Sequence, residues 1–427
     1  MTTPAGPAAA AGPAPLVPLR RNRGFRLLWV GQVVSDTGTE AAVIAYPLLI
    51  LALTHSPAIA GVVGTARMIV QLVFGLPGGA LSDRFDRRWT MIVCDSSRAA
   101  VLALLAVLVL LHLVTWPVVL AVAVVDGAAN ALFDPSAVAA LPAIVADRQL
   151  EQAWAATEAR SYAAGLVGPA LGGFLFGLGR AVPFVGDAAS YLVSATAVSR
   201  IRGKFRAEPA SGRKALWREV IDGLHLVWHH PLLRLVLFDA PLINFAFNGV
   251  LFTITLALRQ HGTAPGTIGL AQAGIALGGV LGAVIAPRLQ GRLSLRQLAI
   301  AVPAVGTVMF AAAALALPST LVALPVAVAV LLAPTANTAL FAAMQRATPK
   351  DMLGRVSSTV YQAAMSIAWL APLTSGLLVE YFSGEWAIVA FAVAVGLSAV
   401  LVVVMPGLKD AMRAASSEAM RHEPPAQ

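Results

Sequence analysis

The chain has 427 residues, of which 58% are hydrophobic and only 12% are charged. Soluble domains carry about 25% charged residues, so this composition excludes an ordinary soluble domain and indicates an integral membrane protein. The net charge of +9 does not indicate a nucleic-acid partner, because the basic residues are spread over many short segments between apolar runs. The single cysteine, Cys94, excludes an internal disulfide.

The first 19 residues are rich in alanine and proline and lack a basic start, which predicts a disordered tail rather than a cleaved signal peptide. Twelve apolar spans follow, each close to the ~20 helical residues that cross a bilayer core. The sequence therefore predicts an all-α membrane protein with twelve transmembrane helices in two six-helix pseudo-symmetric halves. The predicted divisions are a cytoplasmic tail (1–19), an N-terminal half (20–200), a cytoplasmic linker with an amphipathic helix (201–231), a C-terminal half (232–405) and a cytoplasmic tail (406–427).

The distribution of arginine and lysine predicts the orientation of these spans. With both termini placed inside, all but four of the 30 basic residues lie on the inner side. The exceptions are Arg180 and Arg259 on the outer side and Arg67 and Arg98 within spans. Short cytoplasmic loops carry this excess of positive charge, so we expect a multi-pass protein of the inner cell membrane with both termini cytoplasmic.

The turn between the second and third spans carries a charged motif, Gly79-x-x-x-Asp83-Arg84-x-Asp86-Arg87-Arg88. It resembles the loop signature of the major facilitator superfamily, although Asp86 stands where the usual pattern has glycine. Within that family the chain is most similar to the drug:proton antiporter branch, with its macrolide-efflux and enterobactin-exporter proteins. The resemblance implies that Gly79, Asp83, Arg84, Arg87 and Arg88 form a conformational latch. The alternative is a plain positive hairpin turn, which any membrane protein can have.

The fifth span carries a second motif, which consists of Gly165, Gly168, Pro169, Gly172 and Gly173. It resembles the fifth-helix signature of the antiporter branches, where it is associated with exchange rather than uptake. Small residues permit close helix packing, and Pro169 removes one backbone hydrogen bond. Simple close packing is the alternative reading.

The chain also resembles itself at a nearly constant shift, which supports two related halves. Pro169 and Gly173 correspond to Pro372 and Gly376 in the second half. The dipeptide Ala129-Asn130 corresponds in the same way to Ala336-Asn337.

Polar residues within the apolar spans recur four residues apart, which places each pair on one helix face. Such groups are costly in a membrane and usually face a partner or a cavity. In the family the first, fourth, seventh and tenth helices line the central path, and the pairs fall on those helices. Interhelical hydrogen bonding without transport chemistry is the alternative. The candidates for proton or substrate handling are Asp36, Glu40, Arg67, Asp126, Asn130, Asn244, Asn248 and Asn337.

The depth of Arg67 along its helix allows it to pair with Glu40 or Asp36. A permanent Glu40–Arg67 ion pair that only holds the hairpin is one interpretation. The other is proton coupling, for which we favour Asp36, because a second acid lies one turn away, and place Asp126 second. Asp95 and Arg98, early in the third span, are expected to form a structural pair.

These patterns together predict a secondary transporter that exports a hydrophobic or amphiphilic small molecule, such as a drug, macrolide or siderophore-like compound, in exchange for protons. The alternatives are an uptake permease of the same fold and a transporter-like membrane sensor without flux. No phosphate-binding loop, nucleophile–base set or metal-ligand cluster is evident, so we expect no enzyme activity, cofactor or metal. The expected partners are the lipid bilayer, the small-molecule substrate and protons, and we expect a monomer.

Overall fold

The computed structural model describes residues 18–82, 85–201, 225, 228, 231–290, 292–348 and 353–404. Within these ranges the ordered elements are helices. The N-terminal half contains α1 (Arg23–Thr54), α2 (Pro57–Ser82), α3 (Arg87–Leu110), α4 (Trp116–Ile144), α5 (Leu150–Leu178) and α6 (Val182–Ser199). The C-terminal half contains α7 (Pro231–Gln260), α8 (Pro265–Gln290), α9 (Leu295–Ala316), α10a (Ala323–Leu331), α10b (Ala333–Ala347), α11a (Leu353–Met365), α11b (Ala371–Tyr381) and α12 (Gly384–Val404).

Eleven helical segments in the described part are long and apolar enough to cross a membrane, if α10a with α10b and α11a with α11b each count as one. The twelfth, α6, is 18 residues long and buries Asp187, Ser190 and Ser194. The predicted twelve-helix fold is thus confirmed. The predicted linker lies almost wholly outside the described residues.

The two halves are built from the same helix pairs. In the N-terminal half, α1 packs on α5 and α6, α2 on α4, and α3 on α4 and α6. In the C-terminal half, α7 packs on α11b and α12, α8 on α10a, and α9 on α10a and α12. Both halves therefore have the same helix arrangement, as the pseudo-symmetry in the sequence predicts.

The two most extensive helix crossings between the halves include the glycine and proline residues that repeat in the sequence. At the contact of α5 with α8, a methyl group added at Gly173 would lie 2.3 Å from the Pro265 carbonyl oxygen, and one at Gly269 would lie 2.4 Å from that of Pro169. Glycine alone allows backbones to approach this closely.

The contact of α11b with α2 repeats this geometry. A methyl group at Gly376 would lie 2.4 Å from the Pro57 carbonyl oxygen, and one at Gly61 would lie 2.5 Å from that of Pro372. The four distances agree within 0.2 Å, so the two crossings have the same packing geometry.

Both crossings lie toward one end of the bundle, which holds the α1–α2 turn and the start of α8; we call it the closed end. A carboxylate strengthens the α2–α11b contact there. Glu380 Oε2 accepts hydrogen bonds from Ser56 Oγ, at 2.5 Å, and from the Ala58 amide, at 2.8 Å. This contact satisfies an amide at the start of α2 that has no partner within its own helix.

The halves separate toward the opposite end, where α1 and α3 begin; we call it the open end. A cavity of about 320 Å³ lies there between α2 and α4 of one half and α11a of the other, with Gln71, Gly75 and Tyr361 in its walls. Gly75, in the wall of this cavity, has no atom within 4 Å of an added methyl group. The bundle is therefore tightly packed between the halves at one end and hollow at the other.

The tenth and eleventh spans are each broken, which the sequence analysis does not predict. Helix α10b begins after Leu332 with Pro334 in its first turn, and α11b begins after a 3-10 turn with Pro372 in its first turn. Proline has no amide proton to donate and disfavours a helical residue before it, so each break lies beside a proline.

We expect Gly173→Ala to destabilise the protein, because its methyl group would force α5 and α8 apart at a cost of about 1–3 kcal/mol. The change should appear as a lower melting temperature of the purified protein in detergent. Gly177→Ala is the matched control, since this position on the same helix faces open space. Equal melting temperatures for the two variants would contradict the close crossing.

Candidate functional site

The centre of the N-terminal half holds a buried carboxylate between two guanidinium groups. Asp126 on α4 is 1% exposed, with Oδ1 2.8 Å from Arg98 Nε and Oδ2 3.3 Å from Arg67 Nε. Two predicted pairings are therefore wrong: Arg67 does not pair with Glu40 or Asp36, and Arg98 does not pair with Asp95. Both arginines turn to the same acid because it lies between their helices.

Arg98 also joins α3 to α1 and α6. Its guanidinium lies over the Tyr191 ring, 4.0 Å from the centroid, in a cation–π arrangement. Its Nη2 lies 3.5 Å from Thr39 Oγ1, and the Thr39 and Tyr191 hydroxyls are hydrogen-bonded at 2.7 Å. One buried cation thus holds three other helices of the half in register.

Asp36 forms the third ion pair described in this half. Its Oδ2 lies 2.9 Å from Nε of Arg160 on α5, and Arg160 also donates to the Gln32 side chain. The sequence analysis counted Arg160 among the basic residues of the inner side, whereas the structure places it inside α5. Its position within an apolar span is the signal that could have found it.

Glu40 differs from these acids, because no hydrogen bond or ion pair reaches its carboxylate within the described part of the chain. Its Cβ packs against Gly168, where an added methyl group would lie 2.3 Å away. Glu40 lines two cavities, one between the halves and one within the N-terminal half. It is thus a membrane-embedded carboxylate at the junction of two hollow spaces.

The larger of the two cavities described between the halves, which we call the central cavity, has a volume of about 530 Å³. Its walls come from α1, α2 and α5 on one side and from α7, α8, α10a and α11b on the other. Most lining residues are apolar, and the polar ones are Glu40, Arg67, Gln71, Asn248, Thr255 and Gln272, with Tyr46 beside them. Such a lining, apolar with a few placed polar groups, is typical of small-molecule sites.

The predicted asparagines are distributed over different spaces. Asn248 lines the central cavity, whereas Asn244 and Asn337 line a separate cavity of about 240 Å³ within the C-terminal half. Asn130 lines the pocket within the N-terminal half and donates to Asp134 Oδ2 at 3.0 Å. In the described part, the side-chain bonds of Asn130, Asn244 and Asn248 stay within their own helices.

The five residues of the fifth-span motif face three different surroundings. Gly165 lines the central cavity. Gly168 and Gly172 pack against Glu40 and Ala41 of α1, while Pro169 and Gly173 form the crossing with α8. The motif therefore fixes the backbone of α1 beside Glu40 as well as the contact between the halves.

The predicted latch is described only in part. Arg87 Nη1 donates to the Ala139 carbonyl of α4 at 2.9 Å, and Arg88 donates to the Ser199 carbonyl at the end of α6. Gly79 lies in α2, and Asp83 and Arg84 lie outside the described residues. The latch role of these five residues stays a prediction. Among the described residues, no group of three or more His, Cys, Asp or Glu side chains could hold a metal ion.

Comparison with known proteins places this architecture in a family. Residues 28–371 match the model of the Major Facilitator Superfamily. The chain belongs to this superfamily, and it is a secondary transporter of that fold. A search of curated protein sequences finds no significant match.

Solved structures with similar folds share little sequence with this chain. A bacterial homologue of the human lysosomal transporter Spinster, in an inward-facing and unoccupied conformation, is 15% identical over 94% of this chain and 98% of its own, with a TM-score of 0.66. The nucleoside transporter NupG is 11% identical over 90% and 98%, with a TM-score of 0.71. A D-xylose–proton symporter is 13% identical over 91% and 98%, with a TM-score of 0.63. At these identities the likeness shows the shared fold.

We expect Asp126→Asn to reduce stability by about 3–5 kcal/mol, because it leaves two buried guanidinium groups without a counter-charge. The combined Asp126→Asn, Arg67→Gln and Arg98→Gln variant should recover part of this loss, since it removes the stranded charges together. Melting temperature and folded yield in detergent measure both effects.

Asp147→Asn provides the control for this series, because Asp147 is exposed in the turn between α4 and α5. The melting temperature of this variant should equal that of the wild-type protein. If the combined variant is instead less stable than Asp126→Asn alone, the three side chains do not act as one buried cluster.

Proposed function

We propose that this transporter exports a hydrophobic or amphiphilic small molecule in exchange for protons. The observation that carries the proposal is the central cavity, whose mostly apolar walls come from both halves. These walls include the carboxyl group of Glu40, which has no hydrogen-bond or ion-pair partner among the described residues. A cavity shared by two halves changes its opening when the halves rock, as alternating access requires. The resemblance of the fifth-span motif to antiporter signatures supports exchange rather than uptake.

The placement of charge supports one orientation of the bundle in the membrane. The described arginines at the start of α1, at the start of α3 and before α9 lie at the open end. Because basic loops stay in the cytoplasm, we place the open end there, with both termini cytoplasmic in the inner membrane. The conformation is then one that admits substrate from the cytoplasm, and the transporter acts as a monomer.

The acids of α1 are the proposed proton carriers. Asp126 is less suited, because protonation would leave Arg67 and Arg98 without their shared partner. Protonation of Glu40 breaks no ion pair in the described part, whereas protonation of Asp36 would release Arg160 and loosen α1 from α5. We therefore propose Glu40, beside Asp36, as a coupling residue.

The test uses purified protein in proteoliposomes with an imposed pH gradient and a panel of amphiphilic compounds. The wild-type protein should accumulate at least one compound against its gradient. Glu40→Gln and Asp36→Asn should lose this accumulation but keep downhill exchange, because the amide resembles the protonated acid. Asp147→Asn, which alters an exposed acid in the α4–α5 turn, should behave as the wild type.

The outcomes separate the alternatives. Accumulation of substrate only in the direction of uptake would establish a permease, and no flux of any compound would favour a membrane sensor. If both α1 variants still build a substrate gradient from the pH gradient, proton exchange through these acids is wrong. Sidedness is checked independently with inside-out vesicles, in which an exporter must load the vesicle interior.

A further inference from the structure

The two close crossings between the halves differ in one side chain at the closed end. At the α2–α11b crossing, Glu380 Oε2 accepts hydrogen bonds from Ser56 Oγ, at 2.5 Å, and from the Ala58 amide, at 2.8 Å. The sequence shift between the halves places Gly177 at the matching position of the α5–α8 crossing. No atom lies within 4 Å of a methyl group added there. The backbones cross in the same way, but the carboxylate is present at one crossing and missing from the matching position of the other.

The chain that faces this position also differs between the two crossings. Ser56 precedes the proline at the start of α2. Ala264, which has no hydroxyl group, precedes the proline at the start of α8. Both side chains of the Glu380–Ser56 contact are therefore replaced in the other crossing. Because the backbones of α5 and α8 approach as closely without them, the contact is not required for the helix packing itself.

The contact is electrostatically favourable and yet accessible to water. The start of a helix carries a partial positive charge, which a carboxylate within hydrogen-bond distance stabilises. Ser56 Oγ also accepts a hydrogen bond from the Ile59 amide at 3.2 Å, so Glu380 and Ser56 together satisfy two amides in the first turn of α2. Glu380 is exposed, so water can replace its protein donors when the contact breaks. The contact can therefore be made and broken repeatedly.

The contact joins two elements that alternating access moves apart. Ser56 and Ala58 belong to the N-terminal half, whereas Glu380 lies in the last turn of α11b in the C-terminal half. Opening of the closed end separates these elements, so the contact is made in the conformation described here and is lost in the opposite one. A contact made in one of two conformations shifts the population toward that conformation.

We propose that Glu380 is the outer lock of the transport cycle, because its carboxylate holds the start of α2 and so stabilises the conformation open to the cytoplasm. The inference rests on the orientation and the alternating access of the proposed function. It adds a positioning residue that lies outside the lining of the central cavity. Each opening of the closed end then requires that Glu380 leave its two donors.

The test measures how often the closed end opens, in intact expressing cells that carry the full-length protein. Ala276, which lines the central cavity, is changed to cysteine (Ala276→Cys), and a membrane-impermeant thiol reagent is added outside. The reagent reaches this position only while the closed end is open, so the labelling rate is proportional to the open population. The native protein supplies the background, since its single cysteine, Cys94, is buried.

Glu380→Ala in the Ala276→Cys protein should raise the labelling rate about tenfold, the factor that hydrogen bonds to a charged group supply. Glu380→Gln should raise it less, because the amide oxygen still accepts hydrogen bonds but carries no charge. Glu385→Gln is the matched control, an acid at the start of α12 with no hydrogen bond or ion pair to the N-terminal half in the described part. A Glu380→Ala rate equal to that of this control overturns the proposal.

The partner residue tests the contact itself. Ser56→Ala should raise the labelling rate when Glu380 is present. It should not raise the rate further in the Glu380→Ala protein, because the other bond of Ser56, from the Ile59 amide, stays within α2. Multiplied rates in the double variant would show that the two side chains act independently, and the lock would then be wrong.

Two further outcomes separate the lock from general loosening and from a wrong orientation. Labelling of Cys94 by a membrane-permeant reagent should be the same with and without Glu380→Ala. Faster labelling of Cys94 would assign the contact to the stability of the fold and overturn the proposal. Fast outside labelling of the Ala276→Cys protein with Glu380 intact would show that the closed end does not seal the cavity from outside, which also overturns it.

Failure of this inference is distinguishable from failure of the proposed function, because the labelling needs neither a substrate nor a proton gradient. A Glu380-dependent labelling rate without proton-driven accumulation supports the lock and contradicts proton-coupled export. Proton-driven accumulation together with a labelling rate that ignores Glu380 supports export and overturns the lock.

Discussion

Asp126 is the residue on which the N-terminal half depends, since it neutralises two arginines deep inside a membrane domain. Burying a charge in low dielectric is costly unless a partner lies close, and here one carboxylate serves Arg67 of α2 and Arg98 of α3. The stacking of Arg98 on Tyr191 adds α6, and its contact with Thr39 adds α1. The five helices are therefore joined by electrostatics as well as by close packing. A half joined in this way can move as one unit, which the proposed rocking of the halves needs.

The C-terminal half follows a different principle. Its described polar contacts are mostly uncharged: Gln272 donates to the Leu251 carbonyl and the Thr255 hydroxyl, and Ser398 bonds to Asp239. The two halves share one fold, but the polar contacts inside them differ. We propose that the charged half handles protons, while the mostly uncharged half provides a surface for the hydrophobic or amphiphilic substrate.

The two halves meet through backbone rather than through long side chains. At each crossing a glycine lies against the carbonyl of a proline, with the distances repeated within 0.2 Å on the two sides of the bundle. Backbone contacts of this kind leave little room for side-chain rearrangement, so relative motion must act on whole helices. Glu380 gives one side an additional polar contact with the start of α2. Gly168 and Gly172 pack on α1 at Glu40 and Ala41. We therefore expect a movement of α5 to displace the backbone of α1 at Glu40, the proposed proton site.

The sequence by itself determined the twelve spans, the doubling and the small-residue motifs, because hydrophobic length and glycine spacing are local properties of a helix. It also selected Asp36, Glu40, Asp126 and Arg67 as the polar residues of the interior. Only the tertiary structure determined which arginine pairs with which acid. Several acids lie at similar depth, and a guanidinium on a long flexible side chain can reach more than one of them. The pairing of Arg160 with Asp36 escaped sequence reasoning for the same reason, since α1 and α5 meet only in the folded protein.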